Sequence, residues 1–249
     1  SGEAASRSVL DLPGVQQRLL EAVAATGTPV VLVLMNGRPL TIEWAVANVP
    51  AIVESWFLGV EAGNAIADVL FGDVNPSGRL PVTFPRSLGQ VPIYYNQRNT
   101  GRPVDVNNKY SSKYLDVPNT PRYPFGYGLS YTTFAYRDLR VTNPRIRRTD
   151  TLTVSVTLAN TGSREGTEVV QLYVRDEVGS VARAVGELKA FQGVTLKPGE
   201  SRAVTLRVAA QDLAFYGLDM KRVVEPGSFR IYVGPSSAEG LEGRFEVVP

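Results

Sequence analysis

The feature that most constrains this chain is a strict two-residue period that sets in near residue 134. In "TLTVSVTL", Leu152, Val154, Val156 and Leu158 alternate with Thr and Ser. Extended backbone sends successive side chains to opposite faces, so this pattern fits a strand with one face in a core. The period recurs at Val170, Leu172 and Val174, at Val204, Leu206 and Val208, and at Phe229, Ile231 and Val233. Turn-forming triplets separate the runs: Asn160-Thr161-Gly162, Lys197-Pro198-Gly199 and Glu225-Pro226-Gly227. Short alternating strands with such punctuation predict an antiparallel β-sandwich of immunoglobulin-like type over residues 134–249.

The first third follows another rule. Asp11 is placed to cap a helix with Pro13 in its first turn, and Val15, Leu19, Leu20, Ala22 and Val23 give that helix an apolar face from about Gly14 to Ala25. "PVVLVLM" (29–35) and "AIVESWFL" (51–58) are continuous apolar runs, as in strands covered on both faces. "GNAIADVLFG" (63–72) reads as a helix stopped by glycine. Helix, strand, strand, helix fits a segment of a parallel α/β sheet, yet two strands are too few to make one alone. The remaining strands are expected from sequence outside the chain. Three regions follow: an α/β segment (1–85), a connector (86–133) and the sandwich (134–249). Eight of the 11 tyrosines fall between Tyr94 and Tyr136, so the connector is expected to pack as a strap and not as a disordered linker.

Composition narrows the chemistry. The 249 residues contain no histidine and no cysteine. That removes Ser-His-Asp and Cys-His catalysis from this chain and argues against a zinc or thiolate metal site. Carboxylates, Tyr, Lys or Arg are left. A net charge of +2 without a basic stripe speaks against nucleic acid and anionic membranes as partners. No apolar run approaches the length of a membrane span, and no signal peptide precedes Ser1. The chain starts inside a polar loop, so upstream sequence is expected.

Few motifs carry chemistry. "PFGYGLSY" (124–131) lacks the strand-then-helix context of a phosphate loop and reads as a turn packed by aromatics. "DVNNK" (105–109) lacks the glycine and terminal glutamate of a calcium loop. "YYNQRNTGRP" (94–103) has the aromatic and amide chemistry of a sugar subsite, with interdomain packing as the plainer reading. Trp44 and Trp56 sit in or beside apolar runs and are expected in a core or interface. In "SGEAASR" (1–7), Glu3 is a carboxylate among small residues; position alone makes it a solvated tail charge, and no pair of carboxylates stands out by spacing.

Taken together, "TGTPVVLVLMNGRPL", "ESWFLGVEAGNAIADVLFGDVNPSGRLPVTFP", "YPFGYGLSYTTF", "LKAFQGVTLKPGES" and "EPGSFRIYVG" resemble the C-terminal portion of glycoside hydrolase family three, in its bacterial periplasmic β-glucosidase branch. The resemblance covers nearly the whole chain. It implies a barrel upstream, then an α/β sandwich domain entered part-way by this chain, then a fibronectin type III-like module. It implies a retaining, exo-acting enzyme that removes terminal β-linked glucose, with no cofactor and no metal. Retention uses two carboxyl groups about 5 Å apart. By resemblance the nucleophile is an aspartate on the barrel, with no counterpart here, and the general acid/base carries over to Glu3 alone. Arg7 is expected to anchor the Glu3 loop.

The implied partners are a barrel-containing polypeptide of the same enzyme, a β-glucoside or oligosaccharide substrate, and a second copy as a homo-oligomer. The implied location is periplasmic or secreted. Substrate-binding residues are not legible. Two other readings stand beside this one: a β-xylosidase of the same family, and a non-catalytic structural or oligomerisation module, since a sandwich fold specifies no function.

Overall fold

A computed structural model describes residues 3–105 and 107–249. The chain divides into two units, the first formed by Ser1–Val74, Val82–Ile93 and Lys113–Tyr123, the second by Asn75–Pro81, Tyr94–Ser112 and Pro124–Pro249. Residues of the connector are therefore shared between both units.

In the first unit the order is α1 (Gln16–Ala24), β1 (Val31–Leu34), α2 (Glu43–Asn48), β2 (Ala51–Glu54) and α3 (Ala62–Phe71). Helix α1 starts later than its apolar pattern suggests. Gly14 has φ +59°, a left-handed turn that separates Pro13 from the helix, and Val15 occupies the N-cap without a side-chain bond. Asp11 instead accepts a hydrogen bond from the Thr41 hydroxyl. β2 stops at Glu54 and not at Leu58, because Trp56 turns the backbone at φ +52°. Helix α3 ends as expected on Gly72, at φ 84°.

β1 and β2 pair in parallel with Leu34 opposite Glu54. The sequence expectation of strands covered on both faces is not met within this unit: Leu34 alone among the eight strand residues is buried, and Val31 is 50% exposed. The sheet has two strands, so its faces and outer edges find few neighbours. A smaller core forms around Phe84, which lies 5.9 Å from Trp56 and 6.3 Å from Tyr123, ring centre to ring centre. Trp44 and Trp56 are both half-buried.

In the second unit the alternating runs become strands as expected. One sheet has the order β4 (Arg145–Arg147), β12 (Leu241–Val248), β11 (Gly227–Gly234), β6 (Gly166–Asp176) and β7 (Glu187–Leu196). The other has β3 (Phe134–Val141), β5 (Thr151–Asn160) and β8 (Ser201–Ala209). Two short strands, β9 (Phe215–Tyr216) and β10 (Arg222–Val223), form a separate hairpin. Pairing is antiparallel except between β4 and β12. Leu152, Val154, Val156, Leu172, Ile231 and Val233 meet in one buried cluster, the sandwich core that the two-residue period requires.

Aromatics and one ion pair fasten the remaining segments of this unit. Tyr95 stacks on Phe125 at 4.2 Å and meets Tyr173 edge-on at 5.8 Å. Arg79 reaches Glu168 on β6 at 2.9 Å, with both side chains more than nine-tenths buried.

Candidate active site

Glu3 is the one catalytic residue expected from the sequence, and it lies in an exposed turn of the first unit. Ser1 and Gly2 of the same motif lie outside the described residues. No hydrogen bond or ion pair ties the Glu3 carboxyl among the described residues, so it projects into solvent. The next residue, Ala4, has φ +52°, a conformation that L residues rarely adopt and that bends the loop sharply at the carboxylate.

The loop is held from behind. Arg38 Nη1 donates to Ser6 Oγ at 3.2 Å, and Arg38 Nη2 donates to the Arg7 carbonyl. Further along, the Thr41 N–H donates to the Leu10 carbonyl at 3.0 Å. Leu10, Leu40 and Ile42 are buried around this junction. Arg7 thus takes part in anchoring through its carbonyl oxygen, as an acceptor.

Arg38 follows the carboxyl end of β1, the edge of a parallel sheet where ligand sites gather in α/β folds. Asn36 Nδ2 donates to the Arg38 carbonyl at 2.8 Å and to Glu54 Oε2 at 3.2 Å. Glu54 Oε1 accepts the Trp56 N–H at 3.0 Å. Burial pushes the Glu54 carboxyl above the usual carboxylate range, and the bonds from Trp56 and Asn36 act against it. Sequence reasoning missed Arg38, Asn36 and Glu54. The available signal was a carboxylate closing the apolar run "AIVE", with a tryptophan two residues on.

The other sequence candidates fall elsewhere. Residues 94–103 belong to the second unit, where Tyr95 is spent on packing and Arg98 forms a backbone bridge with Ala184. In "DVNNK", Asp105 accepts the Asn107 N–H at 2.9 Å in a turn, and Val106 lies outside the described residues. Among the described residues no three His, Cys, Asp or Glu side chains converge as a metal site would need. No helix described is long and apolar enough to cross a membrane. An apolar groove of about 650 Å³ runs along the first unit, lined by Leu12, Leu19, Val31, Val33, Met35 and Phe57. An accessible carboxyl on a braced loop is equipped to pass a proton to a group brought against it.

The sequence profile of the glycosyl hydrolase family 3 C-terminal domain matches residues 1–131, more than half of the chain. The chain belongs to glycosyl hydrolase family 3. A fibronectin type III-like profile matches residues 168–237, within the sandwich. Among curated relatives, the periplasmic beta-glucosidase of Salmonella typhimurium is 50% identical over 248 residues, 99% of this chain and 32% of the relative. A beta-xylosidase of Formosa agariphila is 48% identical over 236 residues, 95% of this chain and 32% of the relative. Among solved structures, the beta-glucosidase from Listeria innocua in complex with glucose superposes with a TM-score of 0.95 at 42% identity, covering all of this chain and 35% of that one. The family 3 chain described here spans about a third of the length of the relatives it matches.

Proposed function

We propose that this family 3 chain is the C-terminal part of a retaining, exo-acting β-glucosidase and supplies its general acid/base, Glu3. The observation that carries the reading is the 50% identity to a periplasmic beta-glucosidase along 99% of the chain. The exposed, back-braced Glu3 carboxyl is the feature of the first unit that suits the role. In this reading residues 1–85 complete an α/β sandwich domain, 86–133 are the connector, and 134–249 form the fibronectin-like module. A barrel outside the chain holds the sugar and the aspartate nucleophile.

The nucleophile attacks the anomeric carbon while Glu3 gives its proton to the departing glycosidic oxygen, forming a glycosyl-enzyme and a free alcohol. Glu3, now a carboxylate, takes a proton from water as that water attacks the same carbon, and the nucleophile leaves. The substrate is a terminal β-linked glucoside, and the location is outside the cytoplasm, as the name of the Salmonella relative suggests.

The test is Glu3→Gly in the complete enzyme, assayed with and without azide on 2,4-dinitrophenyl β-glucoside, whose leaving group departs without protonation so that hydrolysis of the glycosyl-enzyme is the step that slows. Loss of roughly 10²–10⁴ in rate is expected, in the range of general acid–base catalysis. Azide should then restore turnover and give the β-glucosyl azide, because the small anion attacks the glycosyl-enzyme where no base is required. Unchanged turnover in Glu3→Gly would leave the chain as a non-catalytic module. The 48% identity to a beta-xylosidase favours a second reading of the sugar. Comparing kcat/KM on matched aryl β-glucosides and β-xylosides decides between them.

A further inference from the structure

We propose that Arg38, set by Asn36 and Glu54, is a positioning residue that holds the Glu3 loop in catalytic register. The inference rests on the reading of Glu3 as acid/base and adds a named mechanism for its placement. Residues 3–9 contain no helix, and their one ladder residue is an isolated bridge at Ala5; Ala4 adopts φ +52°, so the loop has little regular structure of its own to fix the carboxyl. One guanidinium supplies two of its braces, at Ser6 Oγ and at the Arg7 carbonyl, three and four residues beyond Glu3. A planar fork with two parallel donors fixes direction as well as distance, which a single ammonium cannot do.

The brace is itself anchored to rigid structure. Leu34 and Glu54 are partners at the last rung of the parallel pair. The Ser55 N–H and hydroxyl both donate to the Leu34 carbonyl, at 2.9 and 2.8 Å. From that rung Glu54 accepts Asn36 Nδ2, and the same nitrogen donates to the Arg38 carbonyl. The amide orientation follows from its surroundings: the opposite one would turn Asn36 Oδ1 against a carbonyl and a carboxylate oxygen. A continuous path of hydrogen bonds therefore runs from the end of the sheet through Glu54, Asn36 and Arg38 to the loop. Sites placed on loops need such support to stay within catalytic tolerance. None of the three residues is assigned a contact with substrate; their effect passes through Glu3.

The experiment uses the complete enzyme and two aryl β-glucosides. One carries a phenyl leaving group, which needs protonation; the other carries 2,4-dinitrophenyl, which does not. Because kcat/KM reports the step in which the leaving group departs, Glu3→Ala should lower it strongly for the phenyl glucoside and little for the dinitrophenyl one. Arg38→Ala should show the same split, with a loss of roughly tenfold to a hundredfold on the phenyl substrate, as expected for a misplaced catalytic group. Asn36→Ala should show a smaller split in the same direction. Arg38→Lys, which keeps the charge but not the fork, should fall between wild type and Arg38→Ala, and it serves as the deciding variant where Arg38→Ala does not fold. Equal losses on both substrates, or no loss on either, would overturn the positioning role. If Glu3→Ala itself shows no split, the acid/base reading falls. If Glu3→Ala splits the substrates and the Arg38 variants do not, the brace alone is wrong.

Discussion

Glu43 stands in the first turn of α2 with two cations close by: Arg122 pairs with it through two nitrogens, and Arg86 Nη1 lies 3.6 Å away. The hydrogen bond from Arg122 is the largest influence on its carboxyl, and it holds the group below the usual carboxylate range against the effect of burial. The native state then binds fewer protons here than the unfolded chain. The resulting stability is complete above the ordinary glutamate range and is lost as pH falls through the lowered native value. Glu43→Gln should flatten the acid limb of a urea-denaturation series while changing neutral stability by about 0.5–1 kcal/mol, because its side chain is 39% exposed and the pair is screened. Parallel pH profiles for the two proteins would show that the idea is wrong. A second residue with a sharp requirement is Gly126, at φ +81°, where a Cβ would drive into Gln171 Oε1 and come within 2.9 Å of the Tyr173 hydroxyl. Those two groups bond each other at 2.6 Å, and Gln171 Nε2 also holds the Gly126 carbonyl at 3.1 Å. Gly126→Ala should cost about 2–4 kcal/mol, combining left-handed strain with a disrupted buried polar pair, as read by chemical denaturation.

Elements of the second unit were legible because their cause is periodic. A core on one side forces alternation, and β5, β6, β8 and β11 lie where the alternating runs lie. β7 escaped notice, since its first residues are all half-buried and alternate with nothing. Helix α2 escaped too: six residues are too few for a 3.6-residue period to show. The late start of α1 and early end of β2 came from left-handed backbone at Gly14 and Trp56, which side-chain pattern does not encode. One tie was invisible because it is non-local. Arg79 and Glu168 are 89 positions apart, and their pair joins the segment Asn75–Pro81 to β6. The Tyr136 hydroxyl is buried beside them, and desolvation first, then Glu168, pushes its pKa well up. Breaking one side with Glu168→Leu should cost about 3–5 kcal/mol by stranding a buried guanidinium, whereas Arg79→Met with Glu168→Leu should recover most of that loss. A double-mutant cycle on thermal or urea unfolding reads the difference. Equal destabilisation in single and double variants would show that packing, not charge pairing, sets the cost.

At the scale of the whole molecule, the site was less legible than the sandwich. Residue pattern alone made Glu3 a solvated charge, and only the family resemblance singled it out. Its brace depends on contacts between positions more than 30 apart, at Ser6, Arg7 and Arg38, which no local pattern announces. The two units also differ in the core that each one holds. The large buried cluster lies wholly between Ile146 and Val247, inside the second unit. The first unit has a two-stranded sheet, an exposed apolar groove face at Leu19, Met35 and Phe57, and a helix α3 that buries no residue. A ten-residue helix with no fully buried residue, held by the half-buried face of Ala62, Ile66, Ala67 and Val69, gains little packing to add to a marginal propensity. Studied as residues 1–249, the chain should therefore unfold in two steps, the first unit melting well below the sandwich. Calorimetry should resolve two transitions, and limited proteolysis should cut within Ser1–Val74 while β5, β6 and β11 stay intact. If, as proposed, a barrel outside the chain packs on the first unit, the lower transition should rise in the complete enzyme, since burial of the groove face removes apolar surface from water. A single transition for the isolated chain, with both units cleaved at the same rate, would mean that the small core around Phe84 suffices and that the exposed groove contributes nothing to its instability.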